Sequence, residues 1–538
     1  MNADCFPISV VPGLSRLFLD YCSGESAIHA DGRSWFKANP RDRGWQRTAH
    51  PQPLSHSEQL AQLLATQNPA LTASIEQIRN GANVVVTGQQ VGILGGPLFT
   101  PHKAATAIAL ARQASAAGHP HLPVFWLASE DHDFAEVNHV TFPARHSLSK
   151  LTYEAAPSTA VPVGGVVLDD SITPVIDRAW ELLGYSDAME WLAAAYKPGR
   201  TLAQAFAEFY DKVFAEHGLL VLDAAGRDAH RLGAPVLKAA IERADELHAA
   251  LIERNKQLES TGYHAQVAVA DRGSLLFLID ESSGARVALK RTAATAQEPN
   301  GLWQAGRQTF STADLLGVLS SEPERISPSA LLRPVFQDQI MPTSAYIGGP
   351  AEIAYFAQSA VLYERILGRL TPVLPRLSAT LVEPAIAELL DRHELTFETI
   401  LSSTEESLAQ RLAARAMPIA GKQRLAAAGN ALHSELTALT DYMGSLDEGL
   451  GRSAQVSASK MRYQMNRLRR LAANFELQKE ASLARHAQTI TQALHPHGSL
   501  QEREIGAAWF LARYGNSLVD TLVHEASDGC PGHKLIRL

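Results

Sequence analysis

Four ionisable side chains stand in a row in "VPVFWLASEDHDFAEVNH": Glu130, Asp131, His132 and Asp133. Carboxylates grouped in this way can accept hydrogen bonds from a substrate ammonium, hold Mg²⁺ beside nucleotide phosphates, or take a proton from an attacking amine. A histidine among them titrates near neutrality and can share the last task. The bland alternative is an acidic, solvated loop with helix-capping aspartates. A zinc site from His102, His132 and His139 has neither cysteine partners nor an H-E-x-x-H spacing, so zinc is not expected.

The stretch "NVVVTGQQVGILGGPLFTPHKAATAIALARQ" carries the complementary chemistry. Thr100 reads as an N-cap and Pro101 as the first helical residue. The next N–H groups and the helix dipole then offer an anion site, to which Lys103 adds a full charge. Phosphate or carboxylate belongs there, although the loop matches neither G-x-x-x-x-G-K-[ST] nor G-x-G-x-x-G. Gly92, Gly95 and Gly96 also suit a tight strand-to-helix turn. Downstream, "SAYIGGPAEIAYFAQ" places Gly348 and Gly349 where backbone can approach ribose or adenine, with Glu352 available to sugar hydroxyls. Arg376, in "LPRLS", can reach phosphates.

These groups need a scaffold that brings them to one edge. Val84–Thr87, Val124–Ala128, Leu219–Asp223, Ser344–Ile347 and Pro372–Leu374 read as strands, apolar throughout, and the first four lead into helix-like segments. That alternation predicts a Rossmann-like α/β core with a parallel sheet covered on both faces. The glycine loop and the acidic cluster then share the carboxyl edge, where open α/β sheets bind ligands. The predicted order is core over 1–146, an irregular insertion over 147–197, core over 198–261, an insertion with antiparallel hairpin patterning over 262–328, core over 329–382, and a helical domain over 383–538.

In the helical domain Leu432, Leu436, Leu439, Met443, Leu446 and Leu450 follow steps of four and three. "GLGRS" reads as the break, and Met461, Met465, Leu468, Ala472 and Phe475 continue in a second helix. An outer seam left unsatisfied in this antiparallel hairpin would make a dimer interface.

The segments "VVVTGQQVGILGGPLFTPHKAATAIALA", "PVFWLASEDHDFAEVNH", "LLRPVFQDQIMPT", "YIGGPAEIAYFAQ" and "LQERE" together resemble the bacillithiol biosynthesis cysteine-adding enzymes, BshC, in order across nearly the whole chain. The resemblance implies a Rossmann-like core similar to those of class I aminoacyl-tRNA synthetases and nucleotidyltransferases, two connecting-peptide insertions and a coiled-coil domain. It implies a carbon–nitrogen ligase that joins the carboxyl of L-cysteine to the amine of glucosaminyl malate. A free carboxylate has no good leaving group, so ATP, with Mg²⁺, is the expected activator. On this reading Asp131, His132, Glu130 and Lys103 are catalytic. Thr87, Gly88, Gln89, Gln90, Gly95, Gly96, Thr100, His102, Asp133, Gly348, Gly349, Glu352 and Arg376 bind substrate or nucleotide.

Composition limits the rivals. The chain has 538 residues and a formal net charge of −8, which argues against a dedicated nucleic-acid binder. The alternative is a nucleotide-dependent RNA-binding or scaffold protein using Lys460, Arg462, Arg467, Arg469 and Arg470 of the hairpin, residues that equally suit a solvated face. The sequence contains neither a membrane-length apolar run nor a signal peptide, so a cytoplasmic location without membrane partners is expected. Cys5, Cys22 and Cys530 lie far apart and indicate no disulfide framework.

Overall fold

The computed structural model describes residues 3–23, 35–36, 43–47, 54–145, 147–292, 302–479 and 481–538. Two compact units result, one formed by the chain through Thr380 together with Glu502–Ile536, the other by Leu381–Gln501 with Arg537–Leu538. The first unit thus includes the helix Ala507–Ser527, which the expected boundary at 383 leaves in the helical domain.

A five-stranded parallel sheet forms the core of the first unit, in the spatial order Val373–Pro375, Thr343–Gly348, Asn83–Gln89, His121–Leu127, Leu220–Asp223. All five predicted strands are present, shifted by a few residues at their ends. Their unbroken apolar character follows from burial on both faces. On one face Val85, Ala345, Ile347 and Leu374 meet Ala107, Leu110, Ala111 and Ala114 of the helix Phe99–Ala116. Its alanines are what let this helix lie close to the sheet. On the other face Val84, Val86, Val124 and Trp126 pack in one cluster with Val236, Leu237, Ile353 and Phe356.

From the central strand Asn83–Gln89 the chain builds outward through His121–Leu127 to Leu220–Asp223, then returns to add Thr343–Gly348 on the other side. The strand order therefore reverses beside Asn83–Gln89, and such a switch point opens a crevice at the carboxyl ends of the strands.

The insertion after residue 262 is larger than a hairpin. Gly273–Ile279, Arg286–Arg291, Trp303–Ala305, Gln308–Phe310 and Ile326–Pro328 form a five-stranded sheet whose pairings are all antiparallel. The other insertion region holds the hairpin His139–Pro143/Leu148–Thr152 and the helices Ile172–Leu183 and Asp187–Ala195.

Two readings require correction. The strand Ala3–Phe6 pairs antiparallel with His533–Arg537, and Cys5 is disulfide-bonded to Cys530 with 6.2 Å between Cα atoms. A sequence separation of 525 hid this pairing. In the helical unit, the hairpin helices are Ile419–Leu446 and Glu448–Lys479, so the turn falls at Asp447 and "GLGRS" lies inside the second helix. Asp447 Oδ1 accepts a hydrogen bond from Leu450 N at 2.8 Å, capping that helix. Gly451 serves close packing instead of a break, because a Cβ there would come within 2.7 Å of Gly444 Cα.

Candidate active site

Gln89 and Gln90, then Ala128, Glu130 and Asp131, and Gly349 leave neighbouring strands at the switch point and line one cavity of about 650 Å³. That size suits a small-molecule site. Six Lys or Arg side chains line it, Lys103, Arg286, Lys290, Arg333, Arg376 and Arg503, against four carboxylates, Glu130, Asp131, Glu136 and Glu352. The excess of positive charge suits an anionic ligand.

Lys103 lies in the first turns of the helix that follows the glycine loop. Its Nζ donates to Gly88 O at 2.8 Å and Gln89 Oε1 at 3.0 Å and pairs with Glu352 Oε2 at 2.5 Å. Glu352, in the first turn of the helix Pro350–Ile366, also accepts from Gly349 N at 2.7 Å and from Tyr346 OH at 2.6 Å. Burial pulls the Lys103 ammonium below its ordinary value despite Glu352. The same burial pushes the Glu352 carboxyl up but is outweighed by Lys103 and the Gly349 N–H, so its net shift is downward. The two directions are compatible, since Glu352 collects more donors than Lys103 collects charges.

Arg376 forms a second pair at the cavity wall. Its Nη1 and Nη2 donate to Glu502 Oε2 at 2.9 Å and Oε1 at 2.7 Å. Glu502 also accepts from Ala379 N at 3.0 Å and contacts His102 Nδ1 at 3.1 Å. Burial opposes its ionisation, but Arg376 and His102 hold the Glu502 carboxyl well below the carboxylate range. Arg333 completes this wall, donating to Tyr355 OH at 2.8 Å.

The acidic cluster occupies another side. Asp131 Oδ2 accepts from Gln90 Nε2 at 2.6 Å, and the same amide reaches Glu136 Oε2 at 2.9 Å. Asp131 Oδ1 accepts from the His132 N–H at 2.7 Å. His132 Nδ1 lies 3.3 Å from Arg286 Nη1, while Arg286 is held by Ser327 Oγ at 2.9 Å and Pro328 O at 2.8 Å and covers the Phe277 ring. Glu130 is held by His230.

Of the residues proposed from sequence, Glu130, Asp131, His132, Lys103, Gly88, Gln89, Gln90, Gly349, Glu352 and Arg376 line this cavity, whereas Thr87, Gly95, Gly96, Thr100, His102, Asp133 and Gly348 do not. Thr87 Oγ1 donates to Ile347 O at 3.0 Å within the sheet. Gly95 and Gly96 have φ of +80° and +67°, and a Cβ on Gly95 would meet the Phe209 ring at 2.6 Å. Their turn requires glycine. Thr100 is not the N-cap, because the helix begins at Phe99 with Leu98 in that position. His102 is fully buried, its ring held below its ordinary pKa by burial. Asp133 caps a short helix by accepting from Glu136 N at 3.2 Å, and Gly348 O accepts from Arg376 N at 2.9 Å.

Sequence reasoning gave no site role to Arg286, Lys290, Glu136, His230, Arg503 or Glu502. Glu502 and Arg503 lie in "LQERE", a stretch distinctive enough to flag them; Arg286 sits in an ordinary alternating strand that offers no signal. Among the described residues no group of three or more His, Cys, Asp or Glu side chains is arranged to hold a metal ion.

Residues 1–377 match the family described as "Bacillithiol biosynthesis BshC, N-terminal Rossmann-like domain", and residues 379–538 match "Bacillithiol biosynthesis BshC, C-terminal coiled-coil domain". A relative from Koribacter versatilis is 41% identical over 545 residues, covering 100% of both chains. One from Solibacter usitatus is 33% identical over 542 residues, again with 100% of both chains covered. A third, from Salinibacter ruber, is 31% identical and covers 98% of this chain and 97% of its own. All three carry the name "Putative cysteine ligase BshC". Matched from end to end by both regions of the family and by relatives of the same length, the chain belongs to the BshC family of bacillithiol biosynthesis.

Proposed function

We propose that the protein is an ATP-dependent cysteine ligase that joins the carboxyl of L-cysteine to the amine of glucosaminyl malate. The observation that carries this reading is one cavity lined both by Lys103, Arg333 and Arg376 and by Glu130 and Asp131. Amide formation from a carboxylate needs both halves: positive charge for the leaving group, and a carboxylate to receive an ammonium and take its proton.

ATP, with Mg²⁺, supplies the phosphoric leaving group that a carboxylate lacks. Lys103, Arg333 and Arg376 suit its phosphates by charge. Glu352 and Glu502 keep Lys103 and Arg376 aligned and moderate their charge. Asp131, fixed by Gln90, and His132, fixed by Arg286, face the amino group. The test is an assay with cysteine, glucosaminyl malate and ATP, followed by mass spectrometry of the thiol and nucleotide products. Failure to form the amide, or its formation without nucleotide consumption, would sink the reading.

The hairpin supports assembly with a second copy. Leu436 and Met465 are buried within the unit, but Leu446, Leu468 and Phe475 are 61%, 55% and 65% exposed. An apolar stripe of this length on a solvent-facing helix pair suits a partner helix pair in a homodimer.

A further inference from the structure

Behind Glu130 stands a histidine from a helix that contributes nothing else ionisable to this side of the cavity. His230 belongs to Arg227–Glu242, and its Nε2 lies 2.9 Å from Glu130 Oε1. The imidazole is fully buried, with its ring against Phe336 at 5.1 Å between centroids. Glu130 is not sealed off: its side chain is 16% exposed and lines the cavity. One end of the pair is dry and fixed, and the other meets ligand space.

A carboxylate at a cavity wall serves an incoming ammonium only if it does not turn away. A buried imidazole hydrogen-bonded to one of its oxygens orients the group and, when protonated, sets a positive charge beside it. We propose that His230 is a positioning residue for the ligation, clamping one oxygen of Glu130 so that the other is held toward the cavity to receive the ammonium of the acyl acceptor. This deepens the ligase reading and rests on it. The acceptor ammonium gives one proton to Glu130, which frees the nitrogen lone pair. The nitrogen attacks the activated cysteine carboxyl carbon, the C–O electron pair leaves with the phosphate, and the remaining surplus proton departs from nitrogen to Asp131 or His132.

The surrounding charges are consistent with this role. Glu324 faces His230, buried Asp223 lies near both members of the pair, and Arg286 and Asp131 flank the cavity side. Burial pulls the His230 imidazole down, but the charge and hydrogen bond of Glu130 lead the groups that carry it above its ordinary value. The positive charge beside Glu130 is therefore present below that raised value and lost as pH rises through it, while the neutral imidazole keeps one N–H for the hydrogen bond.

The test compares wild type, His230→Gln and Glu130→Gln, with kcat/KM for the acceptor followed across pH and nucleotide affinity measured in parallel. His230→Gln keeps a donor of similar reach but cannot titrate. It is expected to remove the alkaline limb of the profile and to lower kcat/KM about 10²-fold, the size of a misplaced reacting group, with nucleotide affinity unchanged. Glu130→Gln is expected to cost ~10²–10⁴ in turnover. It should also lower the His230 titration midpoint in NMR spectra, with His230→Gln identifying the resonance. A wild type that makes no amide overturns the ligase reading and this proposal together. A wild type that makes the amide while His230→Gln keeps its alkaline limb and full kcat/KM overturns this proposal alone, as does an unmoved His230 midpoint in Glu130→Gln.

Discussion

Lys103 Nζ and Glu352 Oε2 lie 2.5 Å apart, each in the early turns of one of the two helices that follow the adjacent strands Asn83–Gln89 and Thr343–Gly348. The pair bridges the switch point of the sheet, and it sets the charge that an incoming anion meets there. Removing Lys103 alone leaves Glu352, which is only partly exposed, without its cation, a change that lowers stability by itself. The informative comparison is Lys103→Met against Lys103→Met/Glu352→Gln. Thermal stability should fall in the single variant and recover in the double. Nucleotide-dependent turnover should be lost in both; near-wild-type turnover in the stable double variant would remove Lys103 from the mechanism.

Acid stability should be governed by two carboxylates held in ion pairs, Glu352 at the cavity wall and the buried Glu502. Glu352 and Glu502 both have folded values held below the ordinary one. Their stabilisation is present above the unfolded carboxylate value, about 4.3, and is lost as pH falls from there toward the folded values. Thermal melts from pH 6 to pH 3 should therefore show a steep acid decline. Glu502→Gln should flatten that decline while lowering stability at pH 7 by roughly 3–5 kcal/mol, since Arg376 is left unpaired. A variant with an unchanged acid slope would contradict the assignment.

Asp131→Asn and His132→Gln preserve size and hydrogen bonding while removing charge or titration. Product formation at saturating ATP should fall by ~10²–10⁴, the cost of a lost proton-transfer group. Calorimetric nucleotide affinity should change little. If both substitutions abolish nucleotide binding but spare turnover at high ATP, the cluster is a phosphate or metal site.

Replacing Leu446 by Glu puts a charge into an exposed apolar position of the hairpin. Sedimentation should show a dimeric wild type and a monomeric Leu446→Glu. A wild type that sediments as a monomer would end the dimer proposal.

The Cys5–Cys530 bond ties the first strand of the chain to the segment before the last one. Cys5→Ser should lower stability by about 2–4 kcal/mol under oxidising conditions. With excess reductant present, wild type and variant should melt together; a difference that persists would mean the thiol pair contributes by packing alone.

The core was legible in the sequence because strands buried on both faces must be apolar at every position, a constraint local enough to read as five runs. The placement of Lys103 and of Glu130, Asp131 and His132 at one cavity was legible for a related reason. These residues lie in the segments that leave the strand ends, and all parallel strands of such a sheet end on one edge. Helical periodicity likewise marked both helices of the hairpin. Its turn was misread because Gly449 and Gly451 carry the composition of a loop, whereas Gly451 is there to let two helices touch.

Tertiary structure alone decided the rest. Local sequence placed Thr100 and His102 among the phosphate groups, yet the cavity excludes both, and His102 turns instead to Glu502. Arg286 reaches His132 only because the antiparallel sheet carries it there, and His230 reaches Glu130 only because its helix packs against the helix Arg333–Ile340, with the imidazole on Phe336. Amino-acid type and period determine which segments become strands and helices and which edge can bear chemistry. Which side chain faces the cavity, and which is spent neutralising another, depends on contacts between segments far apart in the chain, and no periodicity encodes them.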